Sequence, residues 1–328
     1  MKHRWKTTGL PKNSRADISE LLVLFTLLFV LTSSVQYDHE LAYNLAILCS
    51  AAYASPAQVN SWQFPNPQCT NFSKNSFRLH KAFISDSEAL GFIGVREQEK
   101  QIVVVFKGTN STDDLITDIK SKFYFFDECI VKNISLGYVH HGFCDYYRGL
   151  EAAGIADVAA ALRRDLYPGY QMIITGHSLG GAAAALFALD VAQRYPLIGN
   201  KPWLYTLGQP RTGDAAFAAR LFKACSAVFR VVHRADMVAH LPLCCHSIPF
   251  MECKTTKQCP YHSMNEVWYD NDMPVDNKDY QLCTGIGENR TCEGWVEMSI
   301  RDHLSYFGFH VGSLCSTEPE TQVIYTSY

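Results

Sequence analysis

The stretch QMIITGHSLGGAAAALFALD, Gln171 to Asp190, decides how this chain is read. Gln171 to Thr175 has strand character, Gly176-His177-Ser178-Leu179-Gly180 follows, and an alanine-rich helix is expected over Gly181 to Arg194. A G-x-S-x-G turn between a strand and a helix is a nucleophile elbow, a tight and strained bend that projects the serine hydroxyl from the sheet edge. Side chains at Gly176 and Gly180 would collide with the neighbouring strand and helix. The helix N-terminus behind Ser178 supplies unpaired backbone N–H groups and a positive dipole end, both of which favour developing negative charge. The plain alternative is a glycine-rich turn carrying a solvated serine. The strand–turn–helix context favours a nucleophile.

A serine hydroxyl needs a base and an acid that orients the base, and in this kind of fold they follow in the chain order serine, acid, histidine. The strand-like run Ala227 to Val232 leads into His233-Arg234-Ala235-Asp236, which puts Asp236 just past a strand's carboxyl end, where α/β sheets gather their sites. Asp190, inside a helix, and Asp214, after a Pro-Arg-Thr-Gly turn, read as solvated. Of twelve histidines, His303 in Arg301-Asp302-His303-Leu304-Ser305 is the best placed base, with His310 a nearby competitor.

The rest of the pattern alternates. His39 to Tyr53 carries Leu41, Leu45, Leu48 and Ala52 at helical spacing. Gly91 to Arg96 and Gln101 to Phe106 are β-rich runs joined by the polar turn Glu97 to Lys100. Gly149 to Leu166 reads as a helix, and Pro202 to Leu207 as a further strand. Strands alternating with helices predict a mostly parallel central sheet with helices on both faces.

The chain of 328 residues, 48% hydrophobic, can bury a large core, and its net charge of −3 gives no basic footprint for nucleic acid. Twelve cysteines without a tidy CxxC pair argue for disulfides in an oxidising compartment rather than for a metal site. Lys2, Arg4, Lys6, Lys12 and Arg15 precede the apolar run Leu21 to Leu31 and then Thr32, Ser33 and Ser34, the parts of a secretory signal. Residues 1–35 are therefore expected to be a signal peptide cleaved near residues 34–36, with an uncleaved membrane anchor over residues 21–35 as the alternative. Residues 36–328 are expected to form a single domain with a Cys-rich insertion at about 244–292. Asn71, Asn133 and Asn289 open sequons that suit glycosylation.

GHSLGG, together with LYTLGQPRTGDAAF, RVVHRADMVAHLP, YHSMNEVWY and DHLSYFG, closely resembles the class 3 lipases of the fungal triacylglycerol lipase type. The motifs run in the right order from near Tyr37 to about Cys315. The resemblance implies an α/β-hydrolase fold and a secreted enzyme that cleaves acylglycerol esters, with Ser178, Asp236 and His303 as the triad. It places the oxyanion hole at the backbone N–H groups of Thr109 and Leu179, where Lys107 replaces the usual arginine. A sugar on Asn110, the fourth sequon, would crowd that mouth. It implies a lid after this loop, where only Leu115 and Ile116 are strongly apolar among Asp113, Asp114 and Asp118, a departure that predicts weak sealing. A plain solvated helix start fits that segment equally well. It implies a Cys49–Cys315 disulfide; Cys283–Cys292 reads as a short staple. No cofactor or metal is implied, and the partners are a lipid ester and, transiently, a lipid–water interface. The same scaffold also serves phospholipase A1 and feruloyl esterases. The rival from another class, a catalytically dead lipid-binding protein, has no use for a complete triad.

Overall fold

The elbow strand lies inside an eight-stranded sheet. The computed structural model describes residues 35–86, 89–109, 125–196, 200–245, 253–263, 265–284, 292 and 298–317. Contacts separate Met1–Val35 from Gln36–Tyr328, and the fold below is that of the second unit. Leu21 to Leu31, Leu115, Ile116, Asn110 and Asn289 lie outside the described residues. Among the described residues no helix is long and apolar enough to cross a membrane.

The chain begins with helix α1 (His39–Tyr53), capped by the Asp38 carboxylate, which accepts from the Leu41 N–H. Two short helices follow, α2 (Pro56–Ser61) and α3 (Pro67–Ser76), and then strands β1 (Arg78–Ile84), β2 (Leu90–Arg96) and β3 (Gln101–Phe106). A separate hairpin of β4 (Phe126–Val131) and β5 (Ile134–His140) leads to α4 (His141–Ala152) and α5 (Ile155–Ala161). Strand β6 (Gln171–His177) feeds α6 (Leu179–Arg194); then come β7 (Trp203–Leu207), α7 (Ala215–Ala224), β8 (Ala227–His233), β9 (Glu266–Tyr269) and β10 (Gln281–Cys283). A short helix α8 (Ile300–Leu304) and a small hairpin of β11 (Ser305–Tyr306) and β12 (Phe309–His310) complete the order.

The sheet order is β1-β2-β3-β6-β7-β8-β9-β10. Pairings from β3 through β9 are parallel and those at both edges antiparallel. This is the mostly parallel sheet expected of an α/β-hydrolase fold. Strands β2, β6 and β8 are buried along almost their whole length, as central strands covered on both faces must be. Ala182 to Ala185 of α6 are fully buried, and their small side chains let this helix lie close against the sheet. Phe106, Ile174, Phe187 and Leu204 share one continuous core with them.

Two expectations are corrected. The helix expected over Gly149 to Leu166 is interrupted at Ala153-Gly154, so its first four residues belong to α4 and the rest to α5 and a single wider turn at Leu162–Leu166. The Cys-rich segment at about 244–292 supplies β9 and β10 to the main sheet. The Cys49–Cys315 pairing is replaced by Cys69–Cys315. Cys315 does reach α1, where its N–H donates to Ser50 Oγ at 3.1 Å, but a helix turns about 100° per residue. Cys49 consequently faces the sheet, its Sγ 3.5 Å from Thr175 Oγ1, and α3 brings Cys69 to the bridge instead. Burial pushes the free Cys49 thiol up to about 12, which keeps it protonated and inert.

The remaining bridges are Cys129–Cys144, Cys244–Cys253, Cys245–Cys259 and the expected Cys283–Cys292, while Cys225 is free and buried. The four cysteines from Cys244 to Cys259 are thus held in disulfides and present no thiolates to a metal. Asn71 and Asn133 are both exposed.

The Cys69–Cys315 bridge closes a loop with a sequence separation of 246 residues. Opening a native disulfide of this kind costs roughly 2–5 kcal/mol. Replacing both Cys69 and Cys315 by Ser should therefore lower the denaturation midpoint clearly, whereas Cys49→Ala should change it far less. Peptide mapping under non-reducing conditions should recover Cys69 linked to Cys315; a Cys49–Cys315 peptide would reverse the correction.

Candidate active site

Parallel strands carry the site residues to one edge. Phe106 of β3 pairs with Gly176 of β6, and His177 of β6 pairs with Leu207 of β7. Thr109 and Ser178 therefore leave neighbouring strands at the same carboxyl-end level, and Asp236 leaves β8 at that end too. Ser178 has φ 60° and ψ −128°, a left-handed conformation that a non-glycine residue adopts only when its surroundings enforce it. The enforcement is steric: a Cβ on Gly180 would lie 2.2 Å from the Phe106 carbonyl oxygen, so only glycine permits α6 to start against β3. Leu179 opens α6, and its N–H has no acceptor within the helix.

Ser178 Oγ lies 2.9 Å from His303 Nε2, and His303 Nδ1 lies 2.9 and 3.0 Å from the two Asp236 oxygens. All three residues are buried. The other candidate base is placed elsewhere: His310 sits in β12 with its Nδ1 3.0 Å from Ser313 Oγ. Asp236 is heavily furnished with donors. Its Oδ1 accepts from the N–H groups of Val238 at 2.8 Å and Ala239 at 3.2 Å, and its Oδ2 from the Tyr306 hydroxyl at 2.6 Å. Burial by itself would raise the Asp236 pKa; the His303 charge, the His303 hydrogen bond and the Tyr306 hydroxyl outweigh it and hold the carboxyl at about 2, against an ordinary 3.8.

Helix α8, which carries His303, is stitched with its cap Ser299 to the loop that carries Asp236. The Ser299 N–H donates to the Ala235 carbonyl at 2.8 Å, and the Met237 N–H to the Ser299 carbonyl at 3.2 Å. Ser299 also caps α8, its Oγ accepting from the Asp302 N–H at 3.1 Å. The Asp302 carboxylate accepts from the Ala235 N–H at 3.2 Å. Thus Asp302, one residue before His303, braces the loop that carries Asp236.

Two aspartates read as solvated are buried. Asp190 pairs with Arg194 one turn along α6 at 2.5 Å, accepts from the Tyr147 hydroxyl at 2.5 Å and shares its arginine with Glu151 at 2.7 Å. Asp214 caps α7, accepting from the Phe217 N–H at 2.9 Å. Charge alone suggested solvent; specific partners made burial tolerable. Tyr306 and Gly208 are contacts that reasoning from sequence missed. Tyr306 follows the histidine by three residues inside the DHLSYFG motif. A Cβ on Gly208 would lie 2.5 Å from Asp236 Oδ2 and 2.9 Å from His303 Nδ1, so the glycine of LYTLGQP leaves room for the pair.

A hydrogen-bonded serine, histidine and aspartate at the carboxyl ends of parallel strands, on a nucleophile elbow, define the class: an α/β-hydrolase-fold protein with a serine triad constellation. Residues 103–246 match the model of the family Lipase (class 3). The chain is similar to a solved lipase from Rhizopus microsporus var. chinensis, 31% identical, with a TM-score of 0.68 over 84% of this chain and 89% of that one. It is also similar to the structure of a triacylglycerol lipase whose catalytic centre is formed by a serine protease triad, 29% identical, TM-score 0.68, covering 84% of this chain and 96% of that one. A lipase of Rhizomucor miehei is 34% identical over 67% of this chain. The chain spans a little over half the length of that relative and of two curated Rhizopus lipases, 55% and 53%. The chain belongs to the class 3 lipase family.

The depressed Asp236 pKa has a consequence for folding. Its folded value of about 2 lies below the ordinary 3.8, so the carboxylate contributes stability that is fully present above about pH 4 and lost as pH falls toward 2. Holding the carboxyl at about 2 rather than 3.8 corresponds to roughly 2–3 kcal/mol. Asp236→Asn should therefore show a shallower loss of stability between pH 4 and pH 2 than the unsubstituted chain, measured by urea midpoints across that window. Parallel curves for the two proteins would mean that this carboxylate is not held ionised by its partners.

Proposed function

We propose that this protein is a serine hydrolase that cleaves carboxylic esters of acylglycerols, with Ser178 as nucleophile, His303 as general base and Asp236 as the acid that orients it. The observation that carries the reading is the continuous hydrogen-bonded line from Ser178 Oγ through His303 to Asp236. As His303 Nε2 withdraws the Ser178 proton, Oγ attacks the ester carbonyl carbon and forms a tetrahedral intermediate. Asp236 accepts from Nδ1–H throughout and stabilises the imidazolium. The oxyanion is assigned to the N–H groups of Leu179 and Thr109. Collapse breaks the bond to the alcohol oxygen, which takes the proton from His303 Nε2–H. Water, deprotonated by the same nitrogen, then attacks the acyl carbon; the bond to Ser178 Oγ breaks, Oγ takes back the proton from His303 Nε2–H, and the fatty acid is released.

Membership of the class 3 lipases supports an acylglycerol substrate presented at a lipid–water interface. Export through the secretory pathway is supported by the basic and apolar N-terminal pattern and by five disulfides. Protein secreted by a eukaryotic host should begin near Gln36 when its terminus is sequenced.

Ser178→Ala should leave the melting temperature within a few degrees and lower kcat by about 10⁴ or more. It should also abolish covalent labelling by a fluorophosphonate probe. The substrate assignment is tested separately by hydrolysis of a triacylglycerol, phosphatidylcholine and a feruloyl ester side by side. Preference for the triacylglycerol supports the proposal, while preference for either of the others moves the enzyme to a phospholipase A1 or a feruloyl esterase. Activity undiminished in Ser178→Ala would sink the hydrolase reading altogether.

A further inference from the structure

The histidine inside the elbow, His177, sits between the strand and the nucleophile, is buried, and takes no part in the proton transfers described above. Both of its ring nitrogens are engaged. Nε2 lies 2.8 Å from the backbone carbonyl oxygen of His303. A carbonyl only accepts, so Nε2 carries the hydrogen and donates. Nδ1 is then the bare nitrogen, and the Tyr53 hydroxyl at 2.8 Å must donate to it. The His177 ring also stacks on the His303 ring, with centroids 4.6 Å apart and planes 25° from parallel. Tyr53 is the last residue of α1, far from the elbow in sequence. Its hydroxyl lies against a third site segment, occupying the place that a Cβ on Gly108 would take, 2.0 Å away. Gly108 immediately precedes Thr109.

We infer that Tyr53 and His177 form a positioning relay that sets the catalytic histidine in register with the nucleophile and with the Thr109 loop; this inference rests on the hydrolase reading above. The hydroxyl of Tyr53 fixes the His177 tautomer, and the fixed Nε2–H holds the backbone of the base. The stacked ring limits rotation of the His303 imidazole, whose Nε2 must stay in line with Ser178 Oγ. Helix α1, strand β6 and helix α8 thus share one hydrogen-bonded junction outside the triad, with Gly108 packed against it. Burial, followed by the nearby His303 charge, lowers the His177 pKa to about 3, so the ring that faces the imidazolium formed during turnover is neutral. A purely packing role needs bulk at residues 53 and 177; a relay needs the hydroxyl and the Nε2 donor.

The experiment compares Tyr53→Phe, His177→Leu, His177→Gln and the Tyr53→Phe/His177→Leu double variant of the full secreted chain. The readouts are kcat and KM on dispersed p-nitrophenyl butyrate, and the endpoint and rate of fluorophosphonate labelling. Misplacing a base costs turnover rather than binding, so Tyr53→Phe should lower kcat roughly 5- to 20-fold and His177→Leu about 100-fold, with KM within about twofold. His177→Gln, whose amide restores a donor toward the His303 carbonyl, should recover to within about tenfold of the unsubstituted enzyme. Because Tyr53 acts through His177, the double variant should fall well short of the product of the single losses. Each variant should still label to the same endpoint, only more slowly, which identifies the folded fraction. The inference is overturned if both Tyr53→Phe and His177→Leu keep kcat, or lose it only in proportion to the labelling endpoint. It is equally overturned if Gln at residue 177 rescues no better than Leu. Failure of the unsubstituted chain to label at Ser178 would instead remove the hydrolase reading itself.

Discussion

A single buried carboxylate holds the working end of this molecule together. Stripped of partners, an ionised Asp236 in a water-free interior would cost several kcal/mol and would take up a proton instead. Two backbone N–H groups from its own loop, the Tyr306 hydroxyl and the His303 ring reverse that balance. Each hydrogen bond to a charged group of this kind contributes about 1.5–3 kcal/mol. The same bonds fix geometry: they determine where His303, the proposed base, stands, which of its ring nitrogens carries the proton, and how the loop after β8 meets the loop before α8. Charge stabilisation and the alignment of the proposed triad are here one set of contacts.

The proposed nucleophile, Ser178, is placed by a different force, close packing. Ser178 occupies an unfavourable backbone conformation because α6 begins against the end of β3, with no space for a Cβ at residue 180. Alanines along α6 keep the helix on the sheet, and its far half is anchored by Asp190, Arg194, Glu151 and Tyr147. Removing one member of such a buried cluster leaves an unpaired charge, so the cluster locks the helix more firmly than exposed ion pairs would. A rigid helix start and a rigid acid then leave the serine–histidine distance little freedom. Electrostatic stabilisation of a developing oxyanion depends on that kind of preorganisation.

Much of this was legible in the residues. The strands β2, β3, β6, β7 and β8 fall where apolar β-rich runs stand in the chain, and Gly-x-Ser-x-Gly between a strand and a helix marked the turn that the structure strains. Asp236 was visible because it directly follows a strand. The β4–β5 hairpin was missed: its burial pattern is broken by exposed residues, and a disulfide between Cys129 and Cys144 ties it to α4. The helix over Gly149 to Leu166 was drawn too long because small-residue periodicity continues across Ala153-Gly154, where the backbone does not. His303 and His310 could not be separated by position alone, since each lies beyond the acid in a similar setting.

The sequence by itself determined what is local: strand and helix periods, the glycines that make the elbow turn, the order in which serine, acid and histidine appear, and a cysteine content suited to disulfides. The tertiary structure decided every matter of partnership. It chose Cys69 over Cys49 for Cys315, because the turn of α1 faces one thiol toward the sheet. It buried Asp190 and Asp214, because an arginine and a helix N-terminus met them. It brought Gly208 and Tyr53 to the triad from distant parts of the chain, set Tyr306 on Asp236 and laid the His177 ring against His303. The physical reason is common to all of these. Burial of a charge, a thiol or an imidazole is settled by what stands opposite it, and that depends on contacts between residues far apart in sequence, which no local pattern records.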